Sequence, residues 1–357
     1  MDYAAAGVDT AAGDRAVELM KDAVARTHGP EVLGGAGGFA GMFDGAALLG
    51  MKRPVLTTST DGIGTKIAIA RAMGIHDTVG QDLVAMVVDD LVVSGARPLF
   101  MTDYIACGKV IPERIAEIVR GIAEACAATG TALVGGETAE HPGLMAEDEY
   151  DVAGAATGVV DYDEIRGPHR INGGEVLVAL ASSGLHSNGY SLVRKLTEGM
   201  PLDGHVAELG RTLGEELLEP TRLYAKLCLE ILDDVHAFSH VTGGGLAANV
   251  ARILPEGTFA IVDRAEITPP PVFQLMESLS GAGWAAIEDA LNLGVGMVAA
   301  VQADAAARVI ETSKASGVDA WEIGQVFTGS VAPANARLVS GTKGIYGGTV
   351  AMVGSYS

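Results

Sequence analysis

Thr57-Thr58-Ser59-Thr60-Asp61-Gly62-Ile63-Gly64-Thr65-Lys66 decides how this chain is read. It follows the short apolar run Pro54-Val55-Leu56 and precedes Ile67-Ala68-Ile69-Ala70. A strand therefore ends in a hydroxyl run, an acid and a Gly-x-Gly turn. A carboxylate can hold Mg²⁺, and glycine lets backbone N–H groups come close to phosphate. Lys66 offers a positive charge to anionic oxygens. A surface turn of ordinary turn residues carries the same pattern, so the rest of the chain has to decide between the two.

Composition sets the frame. The 357 residues suffice for one large domain or two ordinary ones, and 48% are apolar, enough to bury a sizeable core. Aromatic residues are only 5%, so small side chains dominate, as in closely packed α/β proteins. A net charge of −21 disfavours nucleic acid and anionic membranes as partners. It also points to phosphate binding through Mg²⁺ and backbone N–H groups rather than a broad basic surface. Cys107, Cys126 and Cys228 are far apart and have no CxxC partner, which predicts reduced, buried thiols. Residues 1–7 lack the basic and apolar regions of a signal peptide, and no apolar run is long enough to span a bilayer. The expectation is a cytoplasmic protein.

Helical periodicity marks residues 14–26, with Val17, Met20 and Val24 on one face. The glycine run Leu33-Gly34-Gly35-Ala36-Gly37-Gly38-Phe39-Ala40-Gly41 follows. Phe39, Met42 and Phe43 in or beside it are unlike a linker and predict a packed or ligand-covering loop. Residues 77–94 read as a helix with a stripe of Leu83, Val84, Val87 and Leu91. Asp82, Asp89 and Asp90 also lie on it, costly to bury without a compensating cation. Strands are predicted at 98–105, 131–134 and 151–160, and a periodic helix at 113–128. The second of these strands, 131–134, again ends in glycines and an acid, Gly135-Gly136-Glu137-Thr138.

Gly167-Pro168 and Asn172-Gly173-Gly174 mark a boundary. The expected organisation is an N-terminal domain at 1–168, an α/β domain at 169–340 and a glycine-rich tail at 341–357. In the second domain, the strand 175–180 runs into Ala181-Ser182-Ser183-Gly184-Leu185-His186-Ser187-Asn188-Gly189-Tyr190 and then a helix. His240-Val241-Thr242-Gly243-Gly244-Gly245 also precedes a helix, and a further helix is predicted from Pro220 to Leu232. Strand–polar loop–helix starts gather free N–H groups suited to anions.

These segments, in this order, resemble the aminoimidazole ribonucleotide synthetases, or phosphoribosylformylglycinamidine cyclo-ligases, of the PurM-like ATP-binding superfamily. The resemblance runs through about Gly324. It implies a two-domain α/β protein of α+β type. Its N-terminal mixed sheet would pair across a homodimer, with ATP bound near that interface. It implies a ligase of purine biosynthesis that closes the ring of formylglycinamidine ribonucleotide with ATP, through a phosphorylated amide. Carried over residue by residue, Asp61, Asp90 and Glu137 would hold Mg²⁺ and ATP. Gly34, Gly35, Gly37 and Gly38, with Gly62, Gly64 and Thr65, would cradle phosphates. Ser187, Asn188 and Asn292 would contact the ribonucleotide, and Lys66, His186 and His240 are the candidates for charge neutralisation and proton transfer. One departure stands out: the family's Arg-Thr-Phe run before Asn292 is here Asp289-Ala290-Leu291. It keeps open an alternative, a nucleotide-binding paralogue with altered substrate or lost catalysis.

Overall fold

The computed structural model describes residues 10–34, 38–329, 333–341 and 347–356. Two compact units form, one from residues 1–92 and 96–164, the other from residues 93–95 and 165–357. The boundary falls a few residues ahead of the expected one.

The first unit runs α1 (Thr10–Ala25), β1 (Val32–Leu33), β2 (Met42–Phe43), β3 (Pro54–Gly62), α2 (Ile67–Met73), α3 (Thr78–Val92), β4 (Arg97–Cys107), α4 (Pro112–Thr129), β5 (Ala132–Glu140) and β6 (Tyr150–Asp161). Its four-stranded sheet has the order β3-β6-β4-β5, antiparallel except for the parallel β4–β5 pair. Pro112 opens α4 and Gly130, at φ 71°, closes it in the left-handed region where glycine costs least. Ile115, Ile118, Val119 and Ile122 form its buried face. α3 is not a striped surface helix: twelve of its fifteen residues are buried, because the sheet and α4 enclose it. The crossing with α4 is close enough to require glycine. A Cβ on Gly80 would lie 2.4 Å from the Ile122 nitrogen, and one on Gly121 would lie 1.9 Å from the Asp77 oxygen. The opposite face of the sheet is open, with Leu56, Thr58, Thr60, Thr102, Tyr104, Ala153 and Ala155 exposed.

The second unit contains β7 (Val176–Ala181), α5 (Tyr190–Leu196), β8 (His205–Val206), β9 (Arg211–Thr212), α6 (Leu213–Leu217), α7 (Ala225–Glu230), β10 (Val235–His240), α8 (Gly245–Ala251), β11 (Thr258–Asp263), α9 (Pro271–Ser280), β12 (Val295–Val301), α10 (Ala306–Ala315), β13 (Ala320–Thr328), β14 (Arg337–Ser340) and β15 (Thr349–Val353). Seven strands form one sheet in the order β10-β12-β7-β13-β11-β15-β14. Leu177, Ala179, Val298, Ala300, Ile323 and Val350 of that sheet share a core with Leu246 and Val250 of α8. Two expectations are corrected. The helix predicted from Pro220 begins only at Ala225. The glycine-rich stretch is not a tail, since β15 pairs in parallel with β11 and its Val350, Ala351 and Met352 are buried. A strand of one threonine and four apolar residues was hidden between glycines.

Candidate functional site

In the first unit, the glycine run and Gly135–Thr138 come together; the expected strand end is instead the middle of β5, which continues to Glu140. They border a cavity of about 560 Å³, walled by Ala16, Val17, Met20 and Val24 of α1, Gly38–Gly41, and the ends of β4 and β5. The size suits a small-molecule ligand, and the wall is mainly apolar with a few polar groups. The loop passes directly over β5: a Cβ on Gly41 would lie 2.7 Å from both the Val134 Cγ2 and its carbonyl oxygen. Gly34 and Gly38 are exposed, while Gly35 and Gly37 lie outside the described residues. Phe39 does not anchor the loop, as it is fully exposed; Phe43 does, with its ring 5.4 Å from that of Phe100. Glu137 and Thr138 line the cavity, and Glu137 is exposed.

Sequence reasoning missed the carboxyl at the floor of this cavity. Asp103 lies over Gly136, where a Cβ would come within 1.9 Å of its Oδ1. Burial pushes its pKa up to about 7, against a hydrogen bond from its own backbone N–H. The available signal was the pairing of an acid in one strand with a glycine in the next. That pairing is invisible until the register Asp103↔Gly136 is known.

Lys66 turns inward. It is fully buried and pairs with Asp82 at 2.8–2.9 Å, so its charge serves the helix packing and not a phosphate. Gly64 and Thr65 before it are exposed, as is Asp61, whose Oδ1 accepts from the Gly62 N–H at 2.7 Å. Of the three aspartates on α3, Asp82 and Asp89 are buried and Asp90 is exposed. The predicted Asp61–Asp90–Glu137 metal set does not form within one chain. Asp61 and Glu137 lie on the two edge strands of the sheet, three strand spacings or about 14 Å apart. Asp61 is level with Gly154 and the Leu83 side chain, whereas Asp90 is seven residues further along α3, about 10 Å away on its axis. Among the described residues no three His, Cys, Asp or Glu side chains are grouped to hold a metal ion. A Mg²⁺ held chiefly by phosphates and water needs only one or two carboxylates, and exposed Asp61 fits that lesser role.

In the second unit, two loops meet. The Asn188 Oδ1 accepts from the Gly243 N–H at 3.1 Å, joining the loop after β7 to the loop after β10. Ser187 is buried beside it and Asn188 is half-buried. Two other predicted residues, Asn292 and His186, hydrogen-bond loop backbone. Asn292 donates from Nδ2 to the carbonyls of Gly184 and Leu185 at 3.0 and 3.2 Å, and its Oδ1 accepts from the Gly294 N–H at 2.9 Å. His186 is buried at φ 63°, and its Nε2 accepts from the Ser183 N–H at 3.1 Å. His240 ends β10 and is buried. α5 and α8 have seven residues each, so their dipoles are short and the loops' own N–H groups dominate any anion affinity.

Comparison with known proteins decides the family. Residues 43–160 match the model of AIR synthase related protein, N-terminal domain, and residues 172–332 match that of its C-terminal domain. The phosphoribosylformylglycinamidine cyclo-ligase of Shouchella clausii is 48% identical over 329 residues, 91% of this chain and 95% of that protein. The chain belongs to the AIR synthase family. The fold of this AIR synthase family member also resembles thiamine-monophosphate kinase from Stenotrophomonas maltophilia. That likeness has a TM-score of 0.68 at 21% identity, covering 95% of this chain and 97% of the other. T. maritima PurL complexed with AMPPCP gives a TM-score of 0.52 at 15% identity, over 89% of this chain and 47% of that one. The family's N-terminal model spans the open sheet, and its C-terminal model spans both meeting loops.

Proposed function

We propose that the protein is the ATP-dependent cyclo-ligase that converts formylglycinamidine ribonucleotide to aminoimidazole ribonucleotide, a ligase of purine biosynthesis. The observation that carries this reading is the near full-length identity to a cyclo-ligase, which runs through the candidate regions of both units. The amide oxygen is a poor leaving group. Its attack on the γ-phosphorus of ATP releases ADP and makes an iminophosphate. An amidine nitrogen of the substrate then attacks the activated formyl carbon, the carbon–oxygen bond breaks, phosphate leaves and a proton is lost from nitrogen as the ring closes. The protein's tasks are to orient the phosphoryl group, hold the chain of the substrate folded and keep water away.

The cavity under Gly38–Gly41 suits the nucleotide, and Gly64 and Thr65 at the other edge of the sheet are exposed to phosphate oxygens. Mg²⁺ neutralises phosphate charge when bound, and Asp61 supplies one carboxylate to it. Ser187 and Asn188 contact the ribonucleotide. His186 and His240 are too enclosed to act as free bases and shape the loop and strand end instead. The protein works as a homodimer in the cytoplasm. The uncovered sheet face with Leu56 and Tyr104 supports pairing of two sheets, and the distance between Asp61 and Glu137 gives a second copy a reason to be needed. The net charge of −21 disfavours nucleic acid and anionic membranes as partners, and no described helix is long and apolar enough to cross a bilayer.

The test is ATP-dependent formation of aminoimidazole ribonucleotide by the purified protein. ATP binding without product overturns the cyclo-ligase reading in favour of the paralogue that the Asp289-Ala290-Leu291 departure left open. Sedimentation at micromolar concentration checks the dimer, and a monomer there removes it.

A further inference from the structure

The departing segment is gripped from the C-terminus. Glu288 is buried, and Arg264 donates to both its carboxylate oxygens, Nε at 2.9 Å and Nη2 at 3.0 Å. The Tyr356 hydroxyl donates to the same carboxylate at 2.9 Å, and Arg337 completes the set. A second nitrogen of Arg337 pairs with Asp289. Burial works against ionised Glu288, but these donors outweigh it and hold the carboxyl below its usual range. Arg337 on β14 and Tyr356 after β15 both lie beyond residue 332, where the family match ends.

What this grip holds is the wall behind both loops. A Cβ on Gly245 would stand 1.9 Å from the Glu288 carbonyl oxygen and 3.2 Å from the Asp289 Cα. One on Gly189 would stand 2.7 Å from the Ala290 oxygen and 2.6 Å from the Leu291 Cδ2. Each loop glycine therefore leans directly on the 288–291 segment, Gly245 on its backbone and Gly189 on the Ala290 backbone and the Leu291 side chain. A shift of that segment moves both loops. We propose that Arg337 and Tyr356 are positioning residues for the ribonucleotide site: through Glu288 and Asp289 they fix the segment against which the loops carrying Ser187, Asn188 and Gly243 are set. The proposal rests on the reading that these loops bind the ribonucleotide. Arg264 keeps Glu288 paired when either residue is lost, so the fold survives while the segment loosens.

The experiment is steady-state kinetics of the full chain with both substrates varied, beside thermal melts. Arg337→Met is expected to raise the KM for the ribonucleotide about 10-fold, the size of a lost charge-assisted hydrogen bond, while the KM for ATP stays within about twofold. Arg337→Lys reaches one carboxylate but not both and recovers part of that loss. Tyr356→Phe removes a single donor, raises the same KM about threefold and keeps the question open should Arg337→Met fold poorly. Asn188→Ala reports on the loops themselves and raises the ribonucleotide KM. A raised KM in Asn188→Ala with unchanged values in Arg337→Met and Tyr356→Phe overturns the positioning role alone. Unchanged values in all three overturn the loop reading and the proposal together. Equal rises in both KM values, tracking a fall in Tm, also overturn it, because general destabilisation has no preference between substrates.

Discussion

The loop after β3 and the loop after β7 share one design, a strand running through polar residues into a helix, yet they dispose of their polar side chains differently. In the first, acid and base separate: Asp61 stays exposed at the sheet edge and Lys66 turns into the core to meet Asp82. In the second, amides and imidazole are absorbed by backbone, with Asn292 and His186 holding the loop's own carbonyls and N–H groups. Exposure separates Asp61 from Lys66 in the first, while the second keeps even Ser187 buried. A charged or amide side chain in a glycine-rich loop is as often needed to stabilise that loop as to touch what it binds.

The sharpest way to break this distinction is at Lys66. Lys66→Met strands the buried Asp82 carboxylate, so a loss of about 3–5 kcal/mol in stability is expected from chemical denaturation. The double variant Lys66→Met/Asp82→Leu removes both charges and regains most of it. If Lys66→Met instead keeps its melting temperature and loses turnover, Lys66 belongs with the ligands.

Asp61→Asn is the converse. An exposed carboxylate supports little of the fold, so the melting temperature stays within about 2 °C, since surface changes seldom exceed a few tenths of a kcal/mol. Turnover is expected to fall roughly 10- to 100-fold and to need more Mg²⁺. An unaltered Mg²⁺ dependence removes Asp61 from the metal.

Asn292→Ala tests the second loop. It removes two donors and one acceptor from buried backbone groups, so a stability loss of about 2 kcal/mol is expected together with a higher KM for the ribonucleotide. A kinetic defect without any loss of stability, read from melts beside the kinetics, returns Asn292 to direct substrate contact.

Much of this was legible from residue patterns. Periodicity placed α1, α3 and α4, and the strand–glycine–acid punctuation located β3 and the start of β5, which runs on through its glycines to Glu140 instead of ending at Val134. The direction of a side chain at a loop was not legible. Lys66 faces inward because the chain makes a tight turn through Gly64–Lys66 before α2, where it meets Asp82 of α3. The metal set failed for a related reason. Asp61 and Glu137 occupy equivalent strand ends in sequence, but only sheet order reveals that two strands lie between them. The strand at 349–353 was hidden because one threonine and four apolar residues between glycines look like a tail until β11 offers them a partner.

Asp103 carries the comparison to its finest point, since it is a strand acid like Asp61 but sits mid-strand in β4 and lines a cavity. Its pKa in the folded protein is about 7, above the ordinary aspartate value of 3.8. A carboxyl raised on folding favours the native state fully only below its unfolded pKa. That advantage is lost as pH climbs through the folded value. Asp103→Asn should therefore be no more stable than the parent near pH 4, gain stability between about pH 4 and 7, and hold a constant gain above it. The expected plateau is on the order of 1–2 kcal/mol, because the cavity is open to water on one side. Denaturant titrations of both proteins at several pH values measure it. A gain independent of pH would mean that Asp103 is already ionised throughout. Burial would then be no guide to its charge, and the acid at the cavity floor would behave like the exposed Asp61.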